Sequence, residues 1–261
     1  MGDRADMLRL RHAVWWMALI CWAAGLAACA QDSAVRDKRV KALRDMGNAM
    51  ATEGNLRGAL GKLLEAVKID PDKVELNHEI AILLRNLGQY ELSLKYFQRT
   101  LSLDPKFSEA WNNLGTLYLL MERWDSAIDC FQKALADLLY KTPHYAYNNM
   151  GWAYYRKGDY DRAIQSFQQA IRLSRSYAVA YANLARTRQA KGELDKAVEA
   201  YNQAVYYAPR DAGAHLELAK VLLKQGKMEE AKEELNLAVS ADPISRAANE
   251  ARKLLKNLVK K

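Results

Sequence analysis

A chain of 261 residues, half of them hydrophobic and 9% aromatic, has enough apolar surface to order itself, which argues against intrinsic disorder. Its formal net charge of +8 comes from 39 basic against 31 acidic residues mixed along the chain. No basic stripe with stacking aromatics and no base-reading motif accompanies that charge, so no nucleic-acid partner is expected.

The first element is an n-region with Arg4, Arg9, Arg11 and His12, followed by a stretch from Ala13 to Ala30, AVWWMALICWAAGLAACA, that holds no charge. That is the layout of an export signal. A stretch of about 18 uncharged residues also reaches the lower bound for crossing a bilayer, so a signal anchor is the competing reading. The end of the run separates the two. Leu26-Ala27-Ala28-Cys29 resembles the lipobox of bacterial lipoproteins, where small residues before a cysteine admit the signal peptidase once the thiol is acylated. The resemblance implies a signal peptide over 1–28 and a mature chain beginning at lipidated Cys29 with three acyl chains, an attachment far firmer than a single chain provides. Ala30, where an Asp would signal retention, resembles an address to the periplasmic face of the outer membrane. If Cys29 is acylated, Cys130 is left as the free thiol and no internal disulfide is expected; Cys130 reads as a small packing residue on a helix. Residues 29–39 read as a tether spanning at most about 35 Å when extended. Arg36, Lys38, Arg39 and Lys41 are read either as touching lipid headgroups or as the solvated face of a first helix.

From Val40 the chain repeats itself. Gly54, Gly88, Gly158, Gly192 and Gly226 are spaced by 34, 70, 34 and 34, the 70 being two repeats with a two-residue insertion. Ala59, Ser93, Ala127, Ala163, Ala197 and Ala231 follow the same register. Small residues at Gly47, Ala81, Gly115, Gly151, Ala185 and Ala219 let a first helix approach a second closely, and the alanine series does so from the other side. The glycines suit the left-handed ends of first helices, and Pro71, Pro105, Pro209 and Pro243 stop the second helices. Leu139 and Arg175 break that proline series.

The 34-residue period and the segments WNNLGTLYLLMERWDSAIDCFQKAL and YNNMGWAYYRKGDYDRAIQSFQQAI resemble the tetratricopeptide repeat. The expected fold is therefore all-α, a right-handed superhelix of six helix pairs at 40–73, 74–107, 108–143, 144–177, 178–211 and 212–245. An amphipathic helix over 246–261 would cap the last pair. No Gly-rich phosphate loop and no Cys/His cluster points to an enzyme, a metal or a cofactor. His12, His78, His144 and His215 are scattered, and the last three read as solenoid-face residues.

In the tetratricopeptide pattern, the second, fifth, ninth and twelfth positions of each repeat line a concave groove. Repeat four then offers Tyr145, Asn148, Trp152 and Tyr155; repeat three Glu109, Asn112 and Thr116; repeat five Arg186 and Gln189; repeat two His78, Ile82 and Arg85. Aromatics flanked by amides and arginine combine contact area with directed hydrogen bonds. The competing reading packs Trp152 or Tyr155 between adjacent repeats.

Lipobox and array together resemble the PilF/PilW family of type IV pilus biogenesis lipoproteins. The most specific match is the lengthened third repeat with Leu139-Tyr140, Pro143 and Asn149-Met150-Gly151. Repeat one, with Leu63 where an aromatic is usual, fits less closely. The resemblance implies a monomeric pilotin-type scaffold, held to the membrane by its N-terminal lipid, that binds an outer-membrane secretin and assists its localisation or oligomerisation. Two alternatives share the same features: an adaptor for peptidoglycan enzymes, and one for exopolysaccharide export.

Overall fold

A computed structural model describes residues 33–259. The expected signal peptide, the lipidation at Cys29 and the last two lysines lie outside the described residues. Every regular element among those described is a helix. They are α1 (33–52), α2 (Leu56–Ile69), α3 (Val74–Asn86), α4 (Tyr90–Leu103), α5 (Ser108–Leu120), α6 (Trp124–Leu135), α7 (Pro143–Arg156), α8 (Tyr160–Leu173), α9 (Ala178–Ala190), α10 (Leu194–Tyr207), α11 (Ala212–Lys224), α12 (Met228–Ala241) and α13 (Arg246–Val259). They fall into two compact units that divide between Asp104 and Pro105.

The first unit holds α1–α4. Helix α1 already covers residue 33, within the span read as a tether, and its first described turns have something to hold: Arg36 donates to the carbonyl of Ile69 at 2.9 Å, and Val40 is buried beside α2. Arg44 forks onto Glu79, tying α1 to α3 with Nε to the two carboxylate oxygens at 2.9 and 3.0 Å. Leu63, the residue of repeat one that departs from the aromatic pattern, is nevertheless fully buried with Ala59, Leu76 and Ile80.

The second unit stacks α5–α12 as four pairs. Each pair closes on an aromatic or leucine of its second helix: Phe131, Phe167, Tyr201 and Leu235 are all buried, each opposite a small residue of the first helix. The fit is tightest where that small residue is glycine. A Cβ on Gly115 would lie 2.5 Å from Phe131 Cε1, and one on Gly151 2.8 Å from Phe167 Cε1. Ala127, Ala163, Ala197 and Ala231 have no exposed surface, as the second small-residue register predicts. Pro143, placed by spacing at the end of repeat three, opens α7 instead, where its missing N–H costs no hydrogen bond.

The first helices end as expected on glycines with φ between +75° and +84°. At the vacant place in that series stands Glu122, with φ +57°. A side chain in the left-handed region costs about 1–2 kcal/mol, so Glu122→Gly is expected to raise the unfolding free energy by about that amount and Tm by a few degrees. Loss of the exposed Glu122–Arg156 pair, at 3.3 Å, subtracts little. Thermal unfolding of the two proteins checks this; an unchanged or lowered Tm would show that the turn carries no such strain.

Helix α13 caps α11 and α12. Ala248 and Ala251 are fully buried, while Leu254, Leu255 and Leu258 lean on Leu216, Ala219, Leu235 and Ala238. Lys220 joins α11 to α13 through Glu250 at 2.8 Å. His215 departs from expectation. It is buried inside its helix pair and not on a face, with Nδ1 2.7 Å from Glu234 and Nε2 3.2 Å from the Pro209 carbonyl. The hydrogen bond to Glu234 raises its pKa above the ordinary imidazole value. Cys130 packs as read from sequence; burial pushes its thiol to about 12, so it stays protonated.

Candidate functional site

Helices α5, α7 and α9 lie side by side, α5 touching α7 and α7 touching α9, so corresponding turns form one surface. Across it runs a relay of side-chain hydrogen bonds. Arg186 Nη1 donates to Asn183 Oδ1 at 3.3 Å, and Asn183 Nδ2 donates to Asn148 Oδ1 at 3.0 Å. Asn148 Nδ2 then donates to Asn149 Oδ1 at 3.4 Å, and Asn149 Nδ2 to Asn112 Oδ1 at 3.5 Å. Each carboxamide brings two N–H donors and two acceptor lone pairs, and the relay uses one donor each of Asn183, Asn148 and Asn149 and none of Asn112, so the half-buried amides keep groups for an incoming backbone. Asn148, 5% exposed, anchors the row; the other four members are half-buried.

Beside the row stands an aromatic platform. Trp152 and Tyr155 stack with centroids 5.0 Å apart and planes 22° apart, Tyr160 lies 5.8 Å from Tyr155, and the Arg186 guanidinium sits 5.6 Å from the Trp152 ring. Both readings of Trp152 and Tyr155 hold in part. One side of each packs on the core of the second unit, yet both stay partly exposed.

Beneath this face lies a residue the groove positions did not include. Tyr201 of α10 is 1% exposed, and its hydroxyl finds no hydrogen-bond partner among the described residues. Burial raises its pKa, and the groups that act on it electrostatically are Arg186, Glu217 and Tyr155, all on first helices. An aromatic of this register would serve the packing alone; the tyrosine adds a polar atom on the groove side.

Of the residues chosen from sequence, the structure brings Asn112, Asn148, Trp152, Tyr155 and Arg186 together. Thr116 spends its hydroxyl on the Asn112 carbonyl at 3.0 Å, within its own helix. Gln189 is half-buried at the far end of α9. Tyr145 belongs to a different cluster, 4.1 Å from the His144 ring and 5.3 Å from Tyr177. His78, Ile82 and Arg85 sit in the first unit, where burial and, to a lesser extent, Arg85 pull the His78 pKa to about 4. Sequence reasoning missed Asn149, Asn183 and Tyr201. A signal for the first two was present: Asn113, Asn149 and Asn183 recur at spacings of 36 and 34, at the sixth place of their repeats.

Profiles of the tetratricopeptide repeat match residues 73–136 and 106–176, and a second set matches 154–212 and 189–255. The chain belongs to the tetratricopeptide-repeat family. Among curated relatives, the general transcriptional corepressor ssn6 of Schizosaccharomyces pombe is 34% identical over 80 residues, 31% of this chain, and the chain spans only 7% of its length. Two solved structures share the fold over most of both chains. PilW, described as a type IV pilus biogenesis factor, superposes with a TM-score of 0.74 at 22% identity, covering 84% of this chain and 98% of its own. PilF of Pseudomonas aeruginosa does so with a TM-score of 0.71 at 19% identity, again over 84% and 98%. At these identities the likeness is one of tetratricopeptide-repeat architecture. What that architecture offers is a surface for a protein partner, and the amide row with its aromatic platform is the part of it best equipped to hold one.

Proposed function

We propose that this chain is a scaffold of type IV pilus biogenesis, lipidated at Cys29 and held at the periplasmic face of the outer membrane, that binds a secretin and assists its localisation or oligomerisation. The observation that carries the binding part is the continuous row Arg186–Asn183–Asn148–Asn149–Asn112 beside stacked Trp152 and Tyr155. An extended segment of the partner lies along it, its backbone N–H and C=O groups pairing with the carboxamides and an apolar or aromatic side chain resting on the platform. The Arg186 guanidinium then favours an acceptor, a carbonyl or carboxylate, at the α9 end of the row. Support for the pilus assignment comes from the fold shared with PilW and PilF across nearly the whole of those chains and from the lipobox ending at Cys29.

The test is crosslinking and purification of the full chain from the membranes of its own cells. The expected result is a pilus secretin among the crosslinked proteins and fewer secretin rings when Cys29→Ser releases the scaffold from the membrane. Capture of cell-wall hydrolases or of polysaccharide-export proteins in place of a secretin would overturn the pilus assignment.

A further inference from the structure

We propose that the loop at 136–142, between α6 and α7, is a membrane-docking element whose two leucines enter the boundary between headgroups and acyl chains of an anionic bilayer. The proposal uses none of the groove residues and stands apart from the identity of the partner.

Leu138 is 97% exposed and Leu139 87%, an adjacent apolar pair on a protruding tip. The loop beneath them is pinned. The Asp137 carboxylate accepts the Ser108 hydroxyl at 2.6 Å and the Leu139 N–H at 2.9 Å. The Tyr140 N–H donates to the Asp137 carbonyl at 3.2 Å, and the Tyr140 ring is buried in the core of the second unit. The inner side of the loop is thus committed to hydrogen bonds and packing, which fixes the leucines facing outward. An open cleft of about 730 Å³ continues the apolar surface past Ala136 to Pro105 and Trp111.

The surroundings of the tip select the occupant. The Trp111 indole N–H is already satisfied by the Pro105 carbonyl at 2.9 Å, and the Lys133 ammonium rides 4.3 Å from its ring. Lys141 in the loop and Lys106 at the cleft are both exposed, and the Lys106 charge also acts on Asp137. An apolar tip, an amphipathic indole and a set of ammonium groups match, in order of depth, acyl chains, the interface and lipid phosphates. The one acidic group in the loop, Asp137, is turned onto Ser108 and the Leu139 N–H, and those bonds keep its carboxyl below the ordinary carboxylate range. A convex pair of leucines would need a preformed pocket on a protein partner, whereas a fluid bilayer accepts it without one.

The test uses the full chain reconstituted into vesicles of phosphatidylethanolamine and phosphatidylglycerol, with the photocrosslinker p-benzoylphenylalanine at position 138 or, as a control in the same unit, at the half-exposed Leu120. Position 138 is expected to form phospholipid adducts at a yield at least about ten-fold above position 120, since only the tip reaches the acyl boundary. Combining Lys106→Glu with Lys141→Glu is expected to cut that yield by at least about ten-fold, and phosphatidylcholine vesicles are expected to lower it as well. Equal yields at the two positions, adducts only to a second copy of the chain, or no lipid adduct would overturn the proposal. A yield untouched by charge reversal would overturn the assignment to an anionic surface.

Discussion

Phe167→Ala is expected to lower the unfolding free energy by about 3–5 kcal/mol, the usual cost of removing a fully buried phenyl ring. Three features of the site place it in that range. The ring has no exposed surface, and the wall it faces is Gly151, where a Cβ would stand 2.8 Å from the ring. Ala146, Ala153 and Ala163 belong to the same core cluster, fully buried side chains too short to lean into the space left behind. In a repeat array each pair is stabilised by its neighbours, so the loss also weakens the coupling of α7 and α8 to α9 and broadens the transition. Urea denaturation followed by circular dichroism measures both effects. Leu173→Ala, at a half-exposed site on α8, is the control and should stay within about 0.5 kcal/mol. A loss below about 1 kcal/mol at Phe167 would mean that the ring is not the centre of its helix pair.

That packing was legible in the sequence because it depends on residue size at a fixed period. Gly115 and Gly151 opposite Phe131 and Phe167, the buried alanines and the glycines of positive φ all follow from one register. The departures arise where a neighbour outside the register decides. Residues 33–39 are helical, where the sequence reads as a tether, because Ile69 and the α2 face receive them, a contact that no spacing near Ser33 encodes. Glu122 adopts the left-handed turn because the helices on either side of it hold the geometry its side chain resists. His215 is buried because Glu234 and the Pro209 carbonyl meet both ring nitrogens, a pairing across 19 residues on one side. The binding face is intermediate. Positions on one helix fix which side chains share a stripe, but the amide row passes from fifth to sixth positions as it crosses from α5 to α9. That step is set by the stagger between helices: the sixth-place recurrence of Asn149 and Asn183 marks the two residues but not the fifth-position amides they meet, and Tyr145, one stripe member, turns to His144 and Tyr177 instead.

Trp152→Ala is expected to weaken association with the proposed secretin segment at least about thirty-fold, because a buried aromatic anchor commonly contributes 2 kcal/mol or more to an interface. The platform gives the reason for choosing this residue. Trp152 is stacked on Tyr155 and faced by Arg186, so its ring is already oriented and little rotamer freedom remains to be lost on binding. Because the same ring also packs on the core, circular dichroism and the unfolding midpoint of the variant must accompany the binding measurement. Asn183→Ala separates the two contributions. It breaks the relay between Arg186 and Asn148 without touching the platform, leaves Asn148 with an unmet acceptor in a 5% exposed site, and is expected to cost a smaller, several-fold loss of affinity. If both variants fold normally and bind the secretin as the unaltered chain does, the groove on α5, α7 and α9 is not the binding surface. The first unit, with His78, Ile82 and Arg85 on α3, would then be the next face to test.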